Sequence, residues 1–249
     1  MTHLGFGIDI GGSGIKGAVV NLDTGEFASE RIKILTPKPA TPEAVAATVA
    51  EIVAQAGWDG PVGITVPSVV KEQTALTAAN IDPTWVGVDC ANLFGQVLGR
   101  EVAVLNDADA AGIAEVTYGD ERARTGATIL LTFGTGIGSA LLINGTLYPN
   151  SELGHMIIDG AEAESFASSN AKDRDELSYK KWAKRVDTVL LEMERLFNPQ
   201  AFIVGGGISR KSEKWVPRLT VNTPVFPAQL RNTAGIVGAA WAAAHNVRP

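Results

Sequence analysis

The sequence predicts a mixed α/β protein of two related lobes with a cleft between them. Two observations carry this prediction. A strand, a glycine turn and a second strand follow one another over residues 4–22, and the same order returns over residues 128–143. No linker marks a boundary between the lobes. We place it near residue 105, so that a small lobe spans 1–105 and a large lobe spans 106–249.

The first lobe opens with a buried strand at 4–9, and glycines turn the chain into a second strand at 15–22. A Rossmann fingerprint or a P-loop would need a helix after the glycines, but residues 15–20 are mostly β-branched or small. A hairpin is therefore predicted. Capping residues and short apolar runs predict the other elements of this lobe, which are helices at 41–56 and 91–98 and strands at 62–66 and 102–105.

The second lobe is predicted from the same signals. Asn144-Gly145 predicts a hairpin turn of the primed type, because both residues adopt positive φ readily. The other predicted elements are, in chain order, a helix at 110–118, strands at 128–133 and 139–143, a long helix at 176–196, a strand at 201–204 and a closing helix at 234–245.

Composition and charge restrict the class of protein. The chain has 249 residues, a net charge of −6 and one cysteine, Cys90, which excludes an internal disulfide and a multi-cysteine zinc site. The acidic balance argues against a nucleic-acid partner, since Lys and Arg supply most of that affinity. We see no signal-peptide pattern and no apolar run of about 20 residues, so we expect a cytoplasmic protein without a membrane partner.

Two glycine-rich turns are candidate phosphate-binding loops. Glycines let consecutive N–H groups point at one anion, Lys16 adds a mobile positive charge, and Asp9 could hold Mg²⁺ through water. Each turn alone could be a plain hairpin, but two such turns between strands favour phosphate binding. The candidate residues are Asp9, Gly11, Gly12, Ser13, Gly14 and Lys16 in the first turn, and Thr132, Gly134, Thr135 and Gly136 in the second.

Asn106-Asp107-Ala108-Asp109 lies where a strand leads into a helix. A carboxylate at this place can accept the proton of an attacking hydroxyl, and Asn106 can orient the same substrate. The alternative is a helix N-cap, which these residues alone favour. Asp109 could then serve as the cap and leave Asp107 free.

The segment Glu152-Leu153-Gly154-His155, together with Glu164, offers two acids and an imidazole. Such groups suit vicinal sugar hydroxyls, because each hydroxyl both donates and accepts a hydrogen bond. The alternatives are ordinary surface charge and a packed histidine.

Two further features could bind a phosphoryl donor. Gly205, Gly206 and Gly207 could let a nucleotide ring or a phosphate chain lie against the backbone, and a tight connection is an equally good account. The basic run Lys180-Lys181-Trp182-Ala183-Lys184-Arg185 places Lys180 beside Lys184 and Lys181 beside Arg185 at helical spacing. This basic helix could follow a polyanion, although a solvated helix face is the default interpretation.

Five motifs of the sequence are, in order, Asp-Ile-Gly-Gly-Ser, Asn-Asp-Ala-Asp, Gly-Thr-Gly-Ile-Gly, Glu-Leu-Gly-His and Gly-Gly-Gly-Ile-Ser. Together they resemble the motifs of the ROK (repressor, open reading frame, kinase) sugar kinases, and the resemblance runs from about residue 4 to 243. The resemblance implies a two-lobed actin-like ATPase fold (ribonuclease H-like, hexokinase-type), ATP-type donors with Mg²⁺, and a homodimer. It makes Asp107 the catalytic base. The residues that match the family's sugar contacts are Asn80, Asn106, Asp107, Glu152, His155 and Glu164.

Two departures from the family pattern indicate a subgroup. The family's cysteine-rich zinc loop has no counterpart, because residues 156–163 hold no cysteine; we therefore expect no zinc and a His155 held by packing. Ser68 stands where the family often has glycine after proline. With these departures, with Gly-Ser-Gly-Ile-Lys-Gly at 12–17 and with Pro149-Asn150 before Glu152, the chain resembles the polyphosphate glucokinases of actinobacteria. In that subgroup the basic helix would suit a polyphosphate groove.

The expected reaction is phosphoryl transfer from polyphosphate, and also from ATP, to the 6-hydroxyl of glucose. An ATP-only glucokinase or another hexose or acylamino-sugar kinase of the family is the alternative enzyme. A sugar-responsive repressor would need an N-terminal helix-turn-helix, for which a first strand at Leu4 leaves no room. An actin-like filament protein would not need the sugar-binding set.

Overall fold

The computed structural model describes residues 3–78 and 81–249, which include two five-stranded sheets. Contacts divide the chain into two compact units, Met1–Ala114 with Thr233–Pro249, and Glu115–Asn232. The lobe boundary placed near residue 105 differs from this division in two ways. The first unit extends to Ala114, inside a helix, and the C-terminal segment returns to it.

The chain up to Tyr118 forms seven strands and three helices among the described residues. They are β1 (Leu4–Gly11), β2 (Gly14–Asn21), β3 (Ile32–Ile34), α1 (Pro42–Ala56), β4 (Val62–Val66), β5 (Val70–Lys71), β6 (Thr74–Ala75), α2 (Cys90–Leu98), β7 (Val102–Asn106) and α3 (Asp107–Tyr118).

The rest of the chain forms seven more strands and four helices within the described residues. They are β8 (Ala127–Phe133), β9 (Ile137–Ile143), β10 (Thr146–Tyr148), β11 (Ile157–Ile158), β12 (Ala161–Glu162), α4 (Ala163–Ala167), α5 (Ser169–Arg174), α6 (Tyr179–Phe197), β13 (Ala201–Gly205), β14 (Val225–Pro227) and α7 (Ala234–Ala244).

The two large sheets share one topology. The first has the order β3-β2-β1-β4-β7 and the second the order β10-β9-β8-β13-β14. In each, the first three strands pair antiparallel through hairpins, and the last two join in parallel. β4, β7 and β13 are buried along their whole length, as expected for strands covered on both faces. The repeated strand–turn–strand pattern therefore predicted two related α/β units correctly.

The C-terminal helix belongs to the first unit because it packs on β1 and β4. Gly7 and Gly63 make this possible. A Cβ atom on Gly63 would lie 1.8 Å from the carbonyl oxygen of Ala239, so only glycine lets α7 approach the sheet this closely.

Local signals set most helix ends. Thr41 caps α1, with Pro42 at its first position, and Asp89 caps α2 by accepting from the backbone N–H of Asn92 at 2.9 Å. Asn144 and Gly145 have φ of 51° and 77°, which confirms the primed hairpin turn between β9 and β10.

Two predicted helix starts are wrong by three residues. α3 begins at Asp107 rather than at residue 110, because Asn106 and not Asp109 caps it. α6 begins at Tyr179 rather than at residue 176, because Ser178 caps it and Glu176 has a positive φ of 49°. The short elements between residues 157 and 174 have no strong local signal and were not predicted.

None of the helices in the described part of the chain is both long enough and apolar enough to cross a membrane.

Candidate active site

The first glycine turn joins β1 and β2 of the first unit, as the sequence predicted. Asp9 lies directly opposite Lys16, whose Nζ is 3.0 Å from Asp9 Oδ2. The hydroxyl of Thr65 donates to Asp9 Oδ1 at 3.1 Å, and the hydroxyl of Thr36 donates to the carbonyl oxygen of Gly11 at 2.5 Å. Lys16 is thus held by Asp9 and is not the mobile charge that the turn alone suggested.

The Asp9 carboxylate suits the role predicted for it toward Mg²⁺. Its side chain remains 22% exposed beside the turn, and carboxylate oxygens are the ligands that Mg²⁺ prefers. Each oxygen already accepts one hydrogen bond and has a further lone pair to offer. Asp9 therefore fits a magnesium ion bound through water.

Asp107, the predicted catalytic base, is the first residue of α3 and is exposed. One of its carboxylate oxygens accepts from the backbone N–H of Ala108 at 2.8 Å. This places the carboxylate at the carboxyl end of a buried parallel strand, where α/β proteins commonly bind ligands. The position agrees with the predicted role, and the role itself stays a prediction.

Asn106 is 9% exposed, and both the oxygen and the nitrogen of its side-chain amide make hydrogen bonds. The oxygen accepts from the N–H groups of Ala108 and Asp109, and the nitrogen donates to the carbonyl oxygen of Ser68 at 3.1 Å. Asn106 therefore positions Asp107 by capping α3 and also ties β7 to the loop after β4. Ser68 in turn donates to the carbonyl oxygen of Thr77 at 2.8 Å, which closes that loop. Asn80, the remaining sugar contact predicted in this unit, lies outside the described residues.

The second glycine turn joins β8 and β9 in the second unit. The N–H of Gly134 donates to the carbonyl oxygen of Gly136, and the N–H of Asn170 donates to that of Gly134, each at 3.0 Å. Glu164 Oε2 accepts from the N–H of Ile137 at 3.1 Å. The structure thus places a predicted sugar contact, Glu164, directly against the predicted phosphate loop.

Glu152 precedes a single 3-10 turn that ends at His155, and this turn packs on the start of β9 after the same loop. Gly154 allows this contact, because a Cβ atom there would lie 2.1 Å from the carbonyl oxygen of Ile137. His155 Nε2 is 3.9 Å from Glu152 Oε2, a gap in which a ligand hydroxyl could bridge the two groups. Burial raises the pKa of Glu152, with a smaller opposing effect of His155 and a further increase from Glu164.

Glu162 is the residue that the sequence analysis missed. It ends β12, the second strand of a short hairpin, and its Oε2 lies 3.4 Å from His155 Nδ1. The His155 side chain is half exposed, so packing covers it less than expected, and the Glu162 carboxylate lies within ion-pair distance of its ring. No sequence motif marks Glu162, because its role depends on how the hairpin folds back.

His155, Glu162 and Glu164 could also hold a metal ion, since one ligand atom of each lies within 4.8 Å of the others. These atoms are one nitrogen and two oxygens. A structural zinc site has four protein ligands, so these three do not complete one, and the expectation of no zinc stays a prediction.

The predicted donor-side residues fall into two groups. Gly205, at the end of β13, is the register partner of Thr132 on β8, so those two candidates adjoin. Gly206 has a φ of 83° and packs on the backbone of Phe133, which explains why this turn contains glycine.

Lys180 and Lys184 are exposed on α6, as a surface track would require. Arg185 of the same basic run does not share this exposure. It donates to Asp175 at 2.6 Å and to the carbonyl oxygen of Phe166 at 3.0 Å, which anchors the start of α6. The basic run is therefore partly structural.

Comparison with known proteins identifies the family. The family model described as "ROK family" matches residues 5–171, about two thirds of the chain. The chain belongs to the ROK family. Among curated ROK-type relatives, the polyphosphate glucokinase of Mycobacterium tuberculosis is 56% identical over 96% of this chain and 90% of its own length. The polyphosphate glucokinase of Mycobacterium leprae is 53% identical over 98% of this chain and 76% of its own.

Solved structures of ROK proteins agree with this assignment. The inorganic polyphosphate/ATP-glucomannokinase from Arthrobacter sp. strain KM has a TM-score of 0.91 and 46% identity, over 98% of this chain and 99% of that one. A ROK family glucokinase from Streptomyces griseus, in complex with glucose and AMPPNP, has a TM-score of 0.82 and 27% identity over 98% of this chain and 100% of that one. The predicted fold class, the actin-like ATPase fold of ROK sugar kinases, is confirmed.

Proposed function

We propose that this protein is a glucokinase that transfers a terminal phosphoryl group from inorganic polyphosphate, and also from ATP, to the 6-hydroxyl of glucose. The observation that carries the proposal is the 56% identity to a polyphosphate glucokinase across 96% of the chain. The 46% identity to a kinase that uses polyphosphate or ATP supports both donors.

In the proposed reaction the 6-hydroxyl oxygen of glucose attacks the terminal phosphorus, and the bond from that phosphorus to the rest of the donor breaks. Asp107 accepts the hydroxyl proton, and the donor leaves one phosphate shorter. The base sits at a helix start that Asn106 caps, so its position needs little reorganisation.

The sugar-binding role falls to Glu152, His155 and Glu164, which pack around the start of β9. Charged acceptors beside an imidazole bind vicinal hydroxyls through strong hydrogen bonds. The backbone N–H groups of the two glycine turns and Lys16 stabilise the charge on the transferring group. Bound Mg²⁺, which Asp9 suits, would neutralise phosphate charge.

The proposal includes three accompanying properties, namely a requirement for Mg²⁺, a cytoplasmic location and a homodimeric state. A single, buried cysteine agrees with a reducing compartment. Light scattering of the purified protein would measure the oligomeric state directly.

The decisive experiment measures glucose 6-phosphate formation with polyphosphate or ATP as the sole donor, and with glucose, mannose or fructose as acceptor. Activity with polyphosphate and glucose is the expected result. Activity with ATP alone would instead indicate the ATP-only alternative. Mannose is included because the Arthrobacter relative is a glucomannokinase.

The assignment of the base is tested separately with Asp107→Ala. We expect turnover to be abolished while the melting temperature stays close to that of the wild type, since Asp107 is exposed and Asn106 caps the helix. Near-normal turnover would remove Asp107 from the mechanism.

A further inference from the structure

Four polar side chains form a row across the first sheet beside the glycine turn. Thr65, Asp9, Lys16 and Lys33 are successive register partners on β4, β1, β2 and β3. Directly paired residues project from the same face of a sheet, so these side chains lie on one face at one level. The sequence analysis identified only Asp9 and Lys16 of this row.

The row carries more positive than negative charge. Asp9 is its single carboxylate and accepts from both Thr65 and Lys16. Lys33 is exposed, and its side chain makes no ion pair or hydrogen bond within residues 3–78 and 81–249. Like charges placed directly opposite on neighbouring strands are destabilising, so the position of a second lysine opposite Lys16 requires an explanation.

The direction of the Lys33 side chain provides an explanation for its position opposite Lys16. A Cβ atom on Gly14 would lie 2.7 Å from Lys33 Cε, so the side chain runs along the strand toward the glycine turn. Lys16 Nζ lies near the other side of the turn, 3.7 Å from where a Cβ on Gly11 would be. The two lysines therefore flank residues 11–14.

The segment after β3 is attached to the same turn. Thr36 donates to the carbonyl oxygen of Gly11, and a cavity of about 270 Å³ lined by Gly11, Gly12, Thr36 and Lys38 lies beside it. Lys38 and Asp82 line this cavity, and Lys16 and Lys33 flank the turn outside that lining.

We propose that Lys33, together with Lys16, binds the phosphate groups of the donor that adjoin the transferred one. This inference rests on the proposed function and assigns an additional donor-binding residue to the same site. A chain of phosphates carries negative charge along its length, and two ammonium groups flanking the turn match it better than the single, already paired Lys16 does. The competing account is that Lys33 merely protects the exposed edge strand β3 from aggregation.

Kinetics of Lys33→Gln, Lys33→Arg and a control, Lys71→Gln, separate the two accounts. Lys71 is an exposed lysine of β5 in the same unit. For Lys33→Gln we expect the KM for polyphosphate to rise about tenfold, which corresponds to the loss of one solvent-screened charge–charge contact with the donor. The KM for glucose should stay unchanged, Lys33→Arg should keep most of the donor affinity, and Lys71→Gln should match the wild type.

A binding measurement tests the inference without catalysis. Calorimetric titration with inorganic tripolyphosphate should show binding that weakens in Lys33→Gln and depends less steeply on salt than in the wild type. A donor KM within twofold of the wild type, a glucose KM that rises as much as the donor KM, or unaltered tripolyphosphate binding would overturn it. If the wild type forms no glucose 6-phosphate from any donor, the proposed function fails, whereas the titration still tests Lys33.

Discussion

The substitution Gly136→Ala should weaken glucose binding even though Gly136 belongs to a predicted phosphate loop. A Cβ atom at this position would lie 2.2 Å from Glu164 Oε2 and 3.1 Å from its Cδ. Ordinary contact begins near 3.4 Å, so the carboxylate must withdraw by about 1 Å or more. It then loses the hydrogen bond that it accepts from the N–H of Ile137.

The size of the effect follows from the bond that is lost. A hydrogen bond to a charged group contributes about 1.5–3 kcal/mol. If Glu164 must return to its native position to bind the sugar, glucose affinity falls by a similar free energy, which corresponds to roughly 10- to 100-fold. Rotation of the glutamate side chain keeps the cost to folding small.

Gly134→Ala is the matched control, because a Cβ atom there meets nothing within 4 Å and both positions lie in the same turn. Initial rates over a range of glucose concentrations at saturating donor, together with calorimetric glucose titration, give KM and Kd for both variants. We expect the loss of glucose affinity in Gly136→Ala alone. Equal glucose KM values in the two variants would refute the coupling between Glu164 and the turn.

Three further predictions concern single side chains. Burial raises the pKa of Glu152, so its carboxylate takes up a proton at a higher pH than an ordinary glutamate does. As the pH is lowered, kcat/KM for glucose should therefore begin to fall at that higher pH, because protonation removes the charged acceptor. Glu152→Gln should lose this acidic limb of the pH profile. Glu162→Gln should raise the KM for glucose and change the His155 tautomer, which ¹⁵N NMR can read because the chain has 3 histidines. Burial raises the pKa of Cys90 to about 11 despite its place at a helix start, so iodoacetamide should label it only in denaturant; rapid labelling of the native protein would contradict this.

Local sequence was enough to predict most elements and the nature of the two turns. The hairpins, the cap at Thr41 and the Asn144-Gly145 turn depend on interactions within a few residues, and the structure reproduces them. The ordered motifs were also sufficient for the family, because each marks a place where only a few residue types fit.

Helix starts were less accurate for a physical reason. Several acids and amides near Asp107 and Glu176 could each have capped a helix, and their choice depends on backbone geometry outside the motif. Asn106 caps α3 because β7 ends there and brings its side chain over the first helical N–H groups.

By itself, therefore, the sequence determined the fold class, the family and the residues of the two glycine turns, since these follow from contiguous patterns. Only the tertiary structure decided that Asp9 holds Lys16, that Lys33 completes the row, and that Glu162 faces His155. Such pairs depend on the register between strands and on how hairpins fold back. Register is set by packing across the whole sheet, and no short segment of the chain encodes it.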